Sequence, residues 1–289
     1  MYSKVIIASD LSDASAQVIN CIQDLKKFGA KEVILFHALG IRHLEALRYE
    51  LARLAEPALQ KQKAILESLG FSVKINIATD GVAYELGRLA EEENASLVII
   101  GTHGRGMAFD ALLGGTALKI LHQLTRPMLV IRVQLVQDQP PTCKADCLDL
   151  ARPVLYATDF SDTSQRAFAY VEKMVEGGVA SVTLIHVQDR SRIEKHLKDR
   201  LDEFNNIDTV GLEMLKNALM KKGAKDIKIV LTYGMPVEEI LNTAKKDNYS
   251  LIVMGAQGRG LVKEVFLGSV SGNVVRHASH PVLLIPALK

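Results

Sequence analysis

The sequence predicts an α/β protein built as two tandem domains, each an open twisted sheet of five parallel strands with helices on both faces. Three observations carry this reading. Short apolar runs alternate with longer amphipathic segments, the pattern of strands joined by crossover helices. The whole alternation occurs twice along 289 residues, with matched residues in the two halves. Within it, the runs "LVII" (97–100) and "LIVM" (251–254) are apolar at every position, as strands covered on both faces are.

In the first half the apolar runs are Val5–Ala8, Val33–Phe36, Phe71–Ile77, Leu97–Ile100 and Met128–Val133. Helical patterns fall near 13–28, 43–69, 82–94 and 115–124. The segments "SDAS" (12–15) and "SDTS" (161–164) place capping residues at the start of each half's first helix. The second half repeats the scheme with a longer second helical region, 190–222.

The repeat is explicit. "KVIIASDLSDASAQVI" from Lys4 matches "PVLYATDFSDTSQRAF" from Pro153, so Asp10 pairs with Asp159 and Ser12 with Ser161, each 149 apart. His37 and His186 close matching runs at the same offset. Later, "LVIIGTHGRG" (97–106) matches "LIVMGAQGRG" (251–260) at an offset of 154. A period this long means a duplicated domain and not a solenoid. The domains are expected at 1–133 and 152–289. Residues 134–151, "QLVQDQPPTCKADCLDLA", have two prolines and no clear periodicity, and read as a linker.

Composition narrows the classes. Apolar residues are 48 % and charged residues 24 % of the chain, as in a soluble globular protein. A net charge of +2 gives no strong pull towards nucleic acid or an anionic membrane. Aromatics are 5 % and tryptophan is absent, which weakens any base-stacking platform. No apolar run approaches the ~20 residues of a membrane span. "MYSKVIIASDLSD" meets charge too early for a secretory signal. The expectation is a cytoplasmic protein. Cys143-x3-Cys147 is read as ordinary reduced thiols in the linker and Cys21 as core.

The chemistry concentrates in "MGAQGRGLVKEVFLGSVSG", 254–272. This is not a Walker loop, because Leu261 stands where lysine is required, as Met107 does in the first half. It is not G-x-G-x-x-G either. Its spacing is Gly255-x2-Gly258-x9-Gly268-Ser269, followed by a helix. A helix N-terminus with Arg259 and Lys263 nearby favours an anion. In such sheets ligands bind beyond the strands' carboxyl ends, where strand order reverses. The first and fourth strands, ending at "ATD" and "GAQG", are the natural walls of that crevice.

With the strand-end aspartate followed by serine ("SDLS", "TDFS"), the histidine closing the second strand and the G-x2-G-x9-G-[S/T] signature, the chain resembles a tandem member of the universal stress protein family. The resemblance implies a Rossmann-like fold binding an adenine nucleotide, ATP or AMP, with or without Mg. It implies that Ala157 and Thr158 form a strand-end wall and that Asp159 meets the ribose or adenine. Val187 would meet the adenine through its backbone. Met254, Gly255, Gln257, Gly258 and Arg259 would line ribose and phosphate, and Gly268, Ser269, Val270 and Ser271 the phosphates. The first-half counterparts are Ala8, Ser9, Asp10, Ala38, Gly101, His103, Gly104, Arg105, Gly114, Gly115 and Thr116. The family also implies final strands that pair across domains, hence an internal pseudo-dimer, and a homodimer of chains.

The halves are unequal at the phosphates. "LGGTA" (113–117) stands against "LGSVS" (267–271), so Gly115 replaces Ser269, Ala117 replaces Ser271 and Thr116 comes one position late. Phe109 stands against Lys263. The second site is therefore expected to hold phosphates better.

Catalytic residues are not evident. Asp10 and Asp159 read as ligand contacts, His37 and His186 as structural histidines, and His103 alternates with Gln257, which argues against a shared acid–base role. The charge-rich stretch 189–204 is a solvated helix face, a cover over the nucleotide or a partner surface. The leading reading is an adenine-nucleotide-binding stress or signalling module acting on an unknown protein partner. The alternatives are a slow ATPase or self-phosphorylating enzyme, and an interaction scaffold with vestigial sites. Neither nucleic acid nor membrane is an expected partner.

Overall fold

The protein was analysed as a computed structural model that describes residues 1–40, 45–79, 81–102, 113–123, 125–136, 142–149, 151–194, 198–258 and 267–287. By packing the chain divides into two units, Met1–Leu148 and Asp149–Lys289.

In the first unit β1 (Lys4–Ala8), β2 (Glu32–Ala38), β3 (Ser72–Ala78), β4 (Leu97–Gly101) and β5 (Met128–Ile131) form a parallel array in the order β5-β4-β1-β2-β3. The helices α1 (Asp13–Asn20), α2 (Glu45–Ser68), α3 (Val82–Glu92) and α4 (Gly115–Gln123) connect them. The expected helix over 13–28 is broken at Cys21 and Ile22 and resumes as a 3-10 turn, Gln23–Phe28.

The stretch expected as a linker is partly ordered. β6 (Val133–Val136) and β7 (Thr142–Ala145) pair antiparallel, and α1 packs against this hairpin. A disulfide between Cys21 and Cys147 ties the end of the hairpin to the end of α1. This corrects the reading of Cys147 as a reduced thiol, while Cys21 is buried in the core as expected and is bonded there. The cysteines are 126 residues apart in sequence, and only the fold brings them together. The side chain of Cys143 lies outside the described residues.

The second unit repeats the array. β8 (Val154–Thr158), β9 (Ser181–Asp189), β10 (Asp226–Gly234), β11 (Leu251–Gly255) and β12 (Val282–Ile285) run parallel in the order β12-β11-β8-β9-β10. Its helices are α5 (Asp162–Glu176), the short α6 (Arg190–Ile193), α7 (Leu201–Lys221), α8 (Pro236–Lys246) and α9 (Ser269–His277). Every residue of β8, β11 and β12 is buried, as their largely apolar sequences favour. β10 pairs only with β9 in this array, and its burial is correspondingly partial. α8 begins with Pro236 and two glutamates and ends with two lysines, the charge order its dipole favours.

Strand order reverses between β1 and β4 in one unit and between β8 and β11 in the other, which sets a crevice at those strand ends. Ser12 caps α1 by accepting from Ser15 N, and Ser161 caps α5 by accepting from Ser164 N. Buried Tyr156 of β8 donates its hydroxyl to Ser164 O at 2.7 Å and so holds the first turn of α5 on the sheet. Among the described residues no helix is long and apolar enough to cross a membrane.

Two outcomes follow for stability. Cys147→Ser should lower the first unit's unfolding midpoint, since a loop this long is worth about 4–5 kcal/mol in chain entropy. Dithiothreitol should shift the native protein's melting curve and leave the variant's unchanged. Burial pushes the Tyr156 phenol from its ordinary 10.0 up to about 12. Its contribution is intact below pH 10 and is lost as pH rises towards 12, a change of roughly 2–3 kcal/mol. Tyr156→Phe should therefore flatten the alkaline fall in stability measured by urea unfolding.

Candidate functional site

The strand-end aspartates are aimed by a tight turn. Leu11 and Phe160, each directly after the aspartate, have φ of 62° and 58°. Left-handed backbone costs a residue with a side chain roughly 1–2 kcal/mol. It is held here by matching hydrogen bonds. Leu11 N donates to Ser9 Oγ at 3.1 Å and Phe160 N to Thr158 Oγ1 at 3.0 Å. Asp159 Oδ1 accepts from Ser161 N at 3.1 Å and Ser161 Oγ at 2.6 Å. Asp10 Oδ1 accepts from Ser12 N at 3.1 Å and from the hydroxyls of Ser12 and Ser15, both at 2.5 Å.

The units differ in how the serine after the cap is used. Ser15 Oγ is committed to Asp10, whereas Ser164 Oγ donates to Ser161 O at 2.9 Å and lies 3.1 Å from Thr158 Oγ1. The first unit also turns an α2 side chain onto its strand end: Ser9 Oγ donates to Oε1 of buried Gln62 at 2.8 Å.

In the second unit a cavity of about 570 Å³ opens over the crevice. Ala157, Thr158 and Asp159 line it from the end of β8, and Val187 from β9. Met254, Gly255, Gln257 and Gly258 line it from β11 and its loop, and Gly268, Ser269, Val270 and Ser271 from the start of α9. The structure thus gathers every described second-half residue of the sequence-derived set around one space. Arg259 lies outside the described residues, as do His103, Gly104 and Arg105 of the first half. Ala8, Ser9, Asp10, Ala38, Gly101 and Gly114 sit at strand ends or the start of α4 in the first unit, with Gly115 and Thr116 exposed on α4.

Close approach crowds two of the glycines. A Cβ on Gly258 would lie 2.6 Å from Asp159 Oδ2, and one on Gly268 would lie 3.3 Å from Ala256 O. Gly268 N donates to Ala256 O at 2.7 Å, so the loop closes back on the strand end just before α9 starts. Among the described residues no side chain caps α9, whose N-cap is Gly268 and whose first residues line the cavity. Ser271 Oγ is buried and donates to Ala256 O at 2.6 Å and Gly268 O at 3.0 Å. Its single proton therefore fastens the helix to the loop. Ser269 is exposed and begins the helix.

Sequence reasoning missed part of the wall. Arg192 and Ile193 of α6, Phe204 and Asp208 of α7, and Gln188 of β9 all line the cavity. The charge-rich stretch 189–204 therefore covers the crevice at four of its residues, Asp189, Arg192, Ile193 and Phe204. Arg192 Nε sits 3.4 Å from Asp189 Oδ2, an exposed guanidinium beside a half-buried carboxylate. His186 was expected to be structural, and its Nδ1 lies 2.7 Å from Thr158 O, as that of His37 lies 2.8 Å from Ser9 O. A carbonyl only accepts, so Nδ1 is the donor in both. The Phe160 ring packs on His186 with centroids 4.8 Å apart.

A model of the universal stress protein family matches residues 1–132 and again 151–286. A universal stress protein of Methanocaldococcus jannaschii is 32 % identical over 152 residues, covering 46 % of this chain and 94 % of that protein. One from Mycolicibacterium smegmatis is 27 % identical over 238 residues, covering 78 % of this chain and 74 % of its own length. The crystal structure of a universal stress protein from Archaeoglobus fulgidus superposes with a TM-score of 0.75 at 23 % identity, covering 99 % of this chain and 98 % of that one; at this identity it speaks to fold alone. With both halves matched by the family model, the chain belongs to the universal stress protein family, once in each domain.

Proposed function

We propose that the protein is an adenine-nucleotide-binding module whose second domain holds the stronger site. The observation that carries this reading is the cavity itself: a strand-end carboxylate and an uncapped helix N-terminus face one space that two bare glycines keep open. Uncapped N–H groups at the positive end of a helix dipole suit phosphate oxygens. Asp159 suits hydroxyl or amino donors on a sugar or base. The apolar remainder, including Ala157, Val187, Ile193, Phe204 and Ile240, suits the face of a purine. The residues present fit such a nucleotide, with Gly258, Gly268, Ser269 and the α9 amides at the phosphates.

The first domain is the weaker site in this reading. It has Gly115 at the position of Ser269, and its Ser15 hydroxyl and Gln62 amide are engaged at the strand end. Binding would act by biasing the α6–α7 cover, and through it a surface that a protein partner reads.

Calorimetric titration with AMP and ATP tests the reading; a wild-type protein that binds neither sinks it. Gly258→Ala should weaken binding at least ~10-fold by displacing Asp159, with its melting midpoint close to wild type. Ser269→Gly should weaken the second site by about 2- to 10-fold, the worth of one hydrogen bond. Among the described residues nothing outside the helix lies within 4 Å of a Cβ placed on Gly115, so Gly115→Ser should fit and strengthen the first site by a similar factor. An unchanged affinity in Ser269→Gly would refute the ranking of the two sites.

A further inference from the structure

The two domains are controls for one another. Leu59 and Leu212 are both fully buried, as are Leu66 and Leu219, and the helices that carry them are followed by Gly70 and Gly223, both at positive φ. This register sets Ala55 of α2 against Asp208 of α7. The strand register sets His37 against His186 and Leu39 against Gln188. Both domains share the histidine and its bond to the neighbouring strand end. The amide and the carboxylate belong to the second domain alone.

Asp208 stands on the cavity wall with its side chain 13 % exposed. Its Oδ2 accepts from Gln188 Nε2 at 2.9 Å and lies 3.4 Å from His186 Nε2. Among the described residues no donor reaches its Oδ1. A carboxylate withdrawn from water is costly unless its oxygens are satisfied. The first domain builds the same fold with a buried alanine at this position, so architecture does not require the charge. Among the described residues donors meet one oxygen only, on a residue that stands on the cavity wall.

The sheet identifies what arrives there. β9 and β11 flank β8, so a ligand reaching from the β11 loop and α9 to the β9 side crosses two strand spacings, roughly 10 Å. With phosphate at the α9 end, the group facing Asp208 is the base. We infer that Asp208 is a specificity-determining residue that accepts a hydrogen bond from the 6-amino group of an adenine base, with Gln188 as the residue that positions its carboxylate. This rests on the nucleotide reading above. It adds a discrimination that the first domain, with Ala55, lacks.

The test is calorimetric titration of the full chain with AMP and with purine riboside 5′-monophosphate, which lacks the amino group. The wild-type second site should prefer AMP by at least ~10-fold, the worth of a hydrogen bond to a charged group. Asp208→Ala, which installs the first domain's residue, should bind both nucleotides alike, near the wild-type affinity for the analogue. Asp208→Asn keeps the shape and should retain only a few-fold preference, and it serves if the alanine variant does not fold. A residue that merely braces His186 would, on removal, weaken both nucleotides equally and leave the ratio intact. Equal binding of the two nucleotides by wild type, or a full preference surviving in the variants, overturns the inference while leaving the nucleotide site standing. Failure of wild type to bind either nucleotide removes the site and the inference together.

Discussion

The left-handed turn after each strand-end aspartate is the constraint on which the site rests. Neither leucine nor phenylalanine enters that region without cost, and both occur there at equivalent positions. The turn persists because its amide, the strand-end hydroxyl and the aspartate's bonds to the capping serine lock one another. The same serine starts the following helix, so strand end, carboxylate and helix entry form one rigid unit. Gly258 can then be placed against Asp159, since the carboxylate it must accommodate does not wander. Strain of this kind belongs to a backbone arranged to present a side chain, not to one arranged for stability.

Duplication let one copy specialise while the other kept the frame. In the first domain the donors near Asp10 are turned inward, with two hydroxyls on one carboxylate oxygen and the Ser9 hydroxyl on the Gln62 amide oxygen. In the second, Ser164 and Thr158 pair with each other, and the longer α6–α7 segment brings Arg192, Phe204 and Asp208 over the crevice. The shared histidine bond shows what the fold demands. The residues that differ around it show what the cavity has been given.

Much of this was legible in the amino-acid order. Strands buried on both faces are apolar throughout, so they announce themselves, and the repeat located Asp159, Gly258 and Gly268 by giving each a partner in the other half. The rest depended on distance. Asp208 lies on a helix that also carries Asp202, Glu203, Glu213 and Lys216, and the pattern does not tell which charge meets a cavity wall 20 residues back along the chain at Gln188. Cys21 and Cys147 carry no local signal, since neither knows of the other until the sheet forms. Ser271 read as a phosphate ligand by alignment, yet its proton fastens α9 to the loop, a distinction that only hydrogen-bond geometry supplies.

The hairpin after β5 also changes what the first domain is as an object. With Cys147 joined to Cys21, the backbone between them becomes a closed ring, from which the N-terminal strand and the whole second domain hang as two tails. One cut anywhere in the ring severs the backbone without dividing the molecule, and both pieces stay attached until the bond is reduced. A cut in the second domain has no such covalent protection, and only strand pairing and packing then hold its pieces together. The two copies of one fold thus differ in covalent topology as well as in their cavities, and a protease would meet them as unlike substrates.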